Sequence, residues 1–142
     1  MNVVVVTTAS EPMKEPLGEL PDTVRLMHVT WGGREVQNHA ALAIAAPNGP
    51  LARFGTRLSR VLQRGPVLRM LERVSPLDRG ARFWRAVRHD ERIPTTLADA
   101  DLLVAGDRDA NLACWHLARR LRIAAVSGYA AGTKEVLQWG MQ

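Results

Sequence analysis

Short apolar runs divide the first third of the chain into strand-like segments. Residues 2–8 (NVVVVTT) form an unbroken run rich in β-branched residues, which is typical of a strand buried on both faces of a parallel sheet. Residues 23–31 alternate weakly between apolar and polar positions and predict a second strand. Residues 40–46 (AALAIAA) predict either a third strand or a turn of buried helix, because periodicity does not separate the two over so short a run.

The most regular pattern lies in residues 99–128. Residues 102–105 and 123–126 are apolar runs of strand length. Between them, apolar residues recur at the spacing of one helix face: Ala110, Ala113, Cys114, Leu117 and Leu121. Asp109 precedes this stripe and is the predicted N-cap, because its short carboxylate can accept the unpaired backbone N–H groups of a first turn. The pattern predicts a βαβ unit with parallel strands and a right-handed crossover.

Helical patterns occupy most of the remaining chain. The predicted helices are residues 51–63, 67–74, 77–89 and 133–138, the last one following a turn at 127–132. Residues 11–22 carry three prolines and three glutamates, which favours an exposed loop where a Rossmann domain would have its first helix.

These elements predict an α/β fold, a Rossmann-like three-layer parallel sheet of about five strands. Residues 51–89 form an Arg-rich helical insertion in it. We interpret residues 1–142 as a single domain, since this length is typical of one.

Arginine dominates the charge of the chain. The formal net charge is +5, and residues 51–88 hold ten arginines against two acids. Such a cationic amphipathic segment either binds an anionic membrane surface or packs on the sheet with a solvated polar face. Nucleic acid is disfavoured, because no aromatic stacking platform or known motif accompanies the arginines. The predicted membrane or partner surface consists of Arg53, Arg57, Arg60 and Arg64.

The chain contains one cysteine, Cys114, which lies on the predicted buried stripe. We interpret it as a small core side chain, and the lack of a disulfide partner favours a reducing, intracellular compartment. No run reaches the roughly 18 apolar residues that span a bilayer, and the first residues lack the basic region of a signal peptide. A cytoplasmic location follows, with peripheral association at the inner membrane face as an extension of it.

Polar residues follow the carboxyl ends of the predicted strands, where open α/β sheets bind their ligands. The predicted ligand-binding residues are Thr8, Ser10, Asp107, Arg108, Ser127 and Tyr129. For the acids at 107 and 109 the alternative is a turn residue and an N-cap, and for Tyr129 it is an anchor at the rim of the core. Neither phosphate-loop motif is present, the four histidines lack metal-site spacing, and no metal or cofactor is predicted.

The text of residues 102–129, LLVAGDRDANLACWHLARRLRIAAVSGY, resembles the corresponding βαβ unit in the N-terminal, acceptor-side domain of GT-B glycosyltransferases. In that family the strand ends in a His-Ala-His-Asp-like turn, followed by a helix of the type L-L-A-x-x-L-A-R-R, a small apolar strand and a Tyr-Asp-x-His-like turn. The order of elements over residues 1–137 suits such a domain as well.

The resemblance implies transfer of a sugar to an acceptor near a membrane, with Asp107 matching the acid of the family. Val104 and Gly106 stand where the family often has histidines, and Ser127 and Tyr129 stand where it often has Asp and His. The glycine-rich loop after the first strand is missing, and the donor-binding domain has no counterpart in these residues. Activity therefore requires a donor-binding domain or partner subunit, and no catalytic residue is assigned.

Two other functions remain open. A non-enzymatic binding module would dock a protein, membrane or nucleic-acid partner through its basic face. A small nucleotide-binding or hydrolase domain of flavodoxin-like topology is disfavoured, because the chain has no phosphate loop and no nucleophile placed with a base.

Overall fold

The structure is a computed structural model that describes residues 1–11, 13, 16–32, 40–45 and 78–139. These residues contain five strands and four helices. The strands are β1 (Asn2–Val6), β2 (Arg25–Trp31), β3 (Ala40–Ile44), β4 (Leu102–Ala105) and β5 (Ala124–Ser127). The helices are α1 (Arg79–His89), α2 (Arg92–Thr96), α3 (Asn111–Leu121) and α4 (Tyr129–Trp139).

The five strands form one parallel sheet in the order β3-β2-β1-β4-β5. The predicted α/β fold is therefore confirmed, and residues 40–44 are a strand rather than a helical turn. The predicted βαβ unit is present, with β4 and β5 parallel on either side of α3 in the chain. The described residues of the predicted loop at 11–22 lie in no helix or strand.

Alternate residues of the central strands feed two cores, one on each face of the sheet. Val4, Val6 and Leu103 pack with residues of α1 and α3, whereas Val5 and Val104 pack with Leu17 and with Val136 of α4. The described residues therefore form three layers, with α1 and α3 on one face of the sheet and α4 on the other. Every β4 side chain is buried, because a central parallel strand is covered from both sides.

Helix α3 buries the predicted stripe from Ala110 to Leu117, including Cys114, and Leu121 is partly buried, but the predicted N-cap is wrong. The N-cap residue is Ala110, and no side chain of its own caps the helix. Asp107 Oδ1 instead accepts the Ala110 N–H at 2.9 Å. Asp109 fails as a cap because its carboxylate is directed toward Arg79, 3.9 Å away.

Helix α4 starts at Tyr129, four residues before the predicted start at Thr133. Gly128, with φ +88°, turns the chain directly from β5 into the helix, so residues 129–132 are not a turn. Gly132 is buried inside the helix, where a Cβ would lie 2.9 Å from side-chain atoms of Leu17 and Val104. This glycine allows close packing and does not mark a loop.

Helix α1 begins at Arg79, two residues after the predicted start at residue 77. Asp78 caps it, since its Oδ2 accepts the N–H groups of Gly80 and Ala81 at 2.9 and 3.2 Å. The predicted helices at 51–63 and 67–74 lie outside the described residues. Within the described residues, no helix is long and apolar enough to cross a membrane.

Candidate functional site

The strand order reverses between β1 and β4, which are neighbours at the centre of the sheet. Their last residues, Val6 and Ala105, are paired in register. In an open α/β sheet, ligands bind in the crevice outside the carboxyl ends of the strands at such a reversal. The residues that follow β1 and β4 therefore define the candidate site.

Asp107 connects the two strand ends at this crevice. Its Oδ2 accepts hydrogen bonds from the Thr7 hydroxyl (2.7 Å), the Thr8 backbone N–H (2.6 Å) and the Thr8 hydroxyl (3.2 Å). Its Oδ1 accepts the Ala110 N–H at the start of α3. Both carboxylate oxygens are thus engaged within the chain, and Asp107 fixes the floor of the site.

Tyr129 closes the floor on the β5 side. A Cβ placed on Gly106 would lie only 2.5 Å from the Tyr129 hydroxyl oxygen, so the ring packs directly on the backbone after β4. Burial raises the pKa of the Tyr129 phenol, the Asp107 charge raises it further, and a hydrogen bond with Thr7 opposes the shift. Tyr129 is partly buried at the edge of the core that α4 covers, which agrees with the alternative interpretation of this residue as an anchor at the core rim.

A cleft of about 240 Å³ opens between the first turns of α1 and α3, and we call it the α1–α3 cleft. Its lining consists of Asp78, Gly80, Arg108, Asp109 and Leu112. Gly80 is required where the two helices meet, because a Cβ there would lie 2.8 Å from the Asp109 carbonyl oxygen. The cleft combines cationic donors with carboxylate acceptors, which is a set that can bind hydroxyl-bearing molecules.

Asp109 is the half-buried acid of this cleft. Burial raises the pKa of its carboxyl group and the charges of Asp107 and Asp78 raise it further, whereas Arg79 and Arg108 lower it. The upward direction prevails because burial is the largest of these effects.

The structure separates the six predicted ligand-binding residues into three groups. Thr8 and Asp107 hydrogen-bond each other in the floor, and Tyr129 packs beside them. Arg108 lines the α1–α3 cleft. Ser10 is exposed beyond β1, and Ser127 lines a different, more open cavity of about 530 Å³ between α3 and β5. Arg53, Arg57, Arg60 and Arg64 lie outside the described residues.

Sequence reasoning missed three residues that the fold brings to this edge. Arg79 donates from Nη2 to the Thr8 carbonyl oxygen at 3.0 Å, and its guanidinium lies 6.0 Å from the ring centre of Trp31. The Arg82 guanidinium lies 5.8 Å from the same ring. The sequence holds a weak signal for this cluster, since residue 31 ends a predicted strand and residues 79 and 82 share one face of a predicted helix.

Two of the described histidines pack against other residues, and the third, His89, is exposed at the end of α1. His28 is buried in β2, and His116 stacks on Trp84 with ring centres 4.4 Å apart. Among the described residues, no group of three His, Cys, Asp or Glu side chains is arranged to hold a metal ion.

No family model, no curated protein and no solved structure matches the chain in comparisons with known proteins.

Proposed function

We propose that this domain binds a saccharide acceptor at the carboxyl edge of its sheet, as the acceptor-side half of a sugar-transfer enzyme of the GT-B kind. The observation that carries the proposal is the α1–α3 cleft next to the strand reversal. There Arg108 and Asp109 place a guanidinium donor and a carboxylate acceptor on consecutive residues. Neighbouring sugar hydroxyls each donate and accept, so a cleft that offers both partners suits them.

The enclosed floor supports a binding role for this edge. Asp107 has its oxygens occupied by Thr7, Thr8 and Ala110, so it holds the cleft in shape and leaves ligand contacts to its neighbours. A site held by internal hydrogen bonds loses less conformational entropy when it binds a ligand.

Sugar transfer itself needs a second component in this proposal. The donor sugar would be bound by a donor-binding domain or partner subunit that faces the carboxyl edge, and the reaction would take place between the two. The domain described here would orient the acceptor and exclude water.

The test is a binding experiment with a panel of methyl glycosides, observed by saturation-transfer NMR and quantified by titration calorimetry. We expect at least one glycoside to bind, and Asp109→Asn to weaken it about fivefold or more, because a charge-assisted hydrogen bond is lost. Asp99→Asn is the matched control, since it removes the same negative charge from an exposed residue before β4, and it should leave the affinity unchanged. The absence of glycoside binding, or equal losses in both variants, would contradict the proposal.

The alternative of a binding module that acts through its basic face stays a prediction. Its residues Arg53, Arg57 and Arg60 lie outside the described chain, so no structural observation favours it. Charge reversal at these three positions, followed by sedimentation with anionic vesicles, separates it from glycoside binding at the cleft.

A further inference from the structure

Trp31 lies at the carboxyl end of β2, one strand away from the reversal point. Its backbone N–H donates to the Ala9 carbonyl oxygen at 3.3 Å, which ties the end of β2 to the segment after β1. The ring contacts Phe83 of α1 in a tilted arrangement, with centres 5.7 Å apart. Since Phe83 is fully buried, the indole is held in place from below.

Two guanidinium groups share the neighbourhood of this ring. Arg79 and Arg82 are three residues apart on α1, which places them on one helix face, and their Cζ atoms lie 6.0 and 5.8 Å from the ring centre. Arginine is attracted to the negative face of an indole ring at such distances. We call Trp31, Arg79 and Arg82 the Trp31 platform.

The positive charge of the platform is poorly compensated within the described residues. Arg79 uses one donor on the Thr8 carbonyl oxygen and lies 3.9 Å from the Asp109 carboxylate, a long ion pair with an exposed guanidinium. Arg82 forms no ion pair with a described carboxylate. Asp78, the acid nearest in sequence, has its Oδ2 engaged in capping α1. Two like charges near one ring, without a described carboxylate shared between them, favour an incoming anion.

The indole adds a further unsatisfied donor. Trp31 Nε1 is buried and has no hydrogen-bond acceptor among the described residues. A buried N–H without an acceptor is unfavourable, so a ligand oxygen that reached it would be stabilising.

We infer that the Trp31 platform binds a phosphate group carried by the ligand of this domain. The N–H groups of Arg82, and those that Arg79 does not use on Thr8 and Asp109, can donate to oxygens of a phosphate. The apolar ring near both groups lowers the local dielectric and strengthens these pairs. The platform adjoins the α1–α3 cleft through Arg79 and Asp109, so the phosphate and the rest of the ligand would occupy adjoining positions. The inference rests on the proposed function in placing a ligand at this edge, but phosphate binding is measured without any saccharide.

The test titrates inorganic phosphate into the full chain at constant ionic strength by calorimetry. We expect binding that Arg82→Gln weakens by about tenfold or more, because charge-assisted hydrogen bonds are lost. Arg88→Gln removes the same charge from an exposed position on the same helix and should change the affinity by less than about twofold. Trp31→Phe keeps an aromatic floor but removes the N–H, and should weaken binding by an intermediate factor. Far-UV circular dichroism and urea midpoints check that each variant is folded.

A second arm determines the source of the phosphate. Vesicles of phosphatidylcholine with and without phosphatidic acid are sedimented with the wild-type chain and both glutamine variants. Phosphatidate-dependent binding that is lost in Arg82→Gln but kept in Arg88→Gln supports a lipid phosphate, and binding of inorganic phosphate alone with the same variant pattern supports a soluble one. No binding in either arm, or equal losses in Arg82→Gln and Arg88→Gln, would overturn the inference.

The two proposals fail separately. Loss of glycoside binding in Asp109→Asn with no phosphate binding in the wild type would leave the saccharide site and remove the platform. Phosphate binding lost in Arg82→Gln, with no glycoside bound, would do the opposite.

Discussion

Asp107 holds the carboxyl ends of β1 and β4 together through one carboxylate. Four donors from Thr7, Thr8 and Ala110 surround it. A carboxylate is the one side-chain group that accepts hydrogen bonds on all its polar atoms and donates none when ionised. The residue thus couples the end of β1 to the first turn of α3, which are far apart in the sequence.

Asp107→Asn should lower the free energy of unfolding by about 1–3 kcal/mol, because the amide nitrogen would face N–H or hydroxyl donors in place of an oxygen. Urea denaturation followed by circular dichroism measures the change. Asp109→Asn is the control, since among the described residues its carboxylate forms a single long ion pair, 3.9 Å from an exposed arginine, and it should shift stability by less than about 0.5 kcal/mol. Equal effects of the two variants would show that Asp107 does not link the end of β1 to the start of α3.

At the scale of elements, the sheet and helix α4 meet through contacts that leave no room for a side chain. Gly132 lies against Leu17 and Val104 on one side of β4, and Gly106 lies against the Tyr129 ring at its end. Neither glycine has a positive φ, so neither is required by its backbone conformation. Each is required because the neighbouring element leaves no room for a Cβ atom.

Gly106→Ala should destabilise the chain by about 1–3 kcal/mol, because the new methyl group would lie 2.5 Å from the Tyr129 hydroxyl oxygen and the ring must move. Tyr129→Phe removes that oxygen, so the cost of Gly106→Ala should be smaller in the Tyr129→Phe background. Urea unfolding of the wild type, both single variants and the double variant gives the coupling energy. A coupling energy near zero would contradict the direct contact.

At the scale of the whole molecule, stability should fall in alkaline solution through one buried group. Burial raises the pKa of the Cys114 thiol from 9.0 to about 12, with a smaller contribution from the Asp107 charge. Between these two values the unfolded chain loses the thiol proton and the folded chain keeps it. The unfolded state therefore binds fewer protons, and the stability that this group contributes falls as pH rises through the interval.

The expected slope from this thiol is at most about 1.4 kcal/mol per pH unit above pH 9. Urea unfolding of the wild type and of Cys114→Ala at several pH values from 8 upward, about one half-unit apart, measures it by difference. The two curves should diverge with pH in the sense that the wild type loses more stability than the variant. Parallel curves would show that the thiol titrates equally in both states.

Much of the architecture follows from local chemistry. The β-branched run at residues 2–8 and the apolar run at residues 102–105 form central strands. A continuous apolar run needs cover on both faces, and a central strand of a parallel sheet has it. The stripe of α3 follows from its period, which places Cys114 and Leu117 on the buried side. These patterns are strong because each involves many residues with the same requirement.

Boundaries and site residues depend on tertiary contacts instead. The glycines in residues 127–132 (SGYAAG) predict a turn, yet a helix starts at Tyr129. Gly132 lies within this helix because its close contact with Val104 of β4 leaves no room for a side chain. Asp109 has the local signature of an N-cap, but the first turn of α3 is bound by Asp107, which Thr7 and Thr8 hold in position.

The sequence alone therefore determined strands β1, β2, β4 and β5 and the βαβ unit, because apolar periodicity and chain direction are local properties. That ligands bind at the carboxyl edge stays a prediction, and the structure decided that residues 40–44 are a strand. Only the tertiary structure decided which polar residues hydrogen-bond to one another and which are exposed. In the structure Asp107 hydrogen-bonds to Thr7 and Thr8, and Arg79 and Arg82 lie close to the Trp31 ring. The physical reason is that a hydrogen bond or a cation–π contact depends on distances of a few ångströms between residues remote in sequence, which the fold sets and a linear pattern does not record.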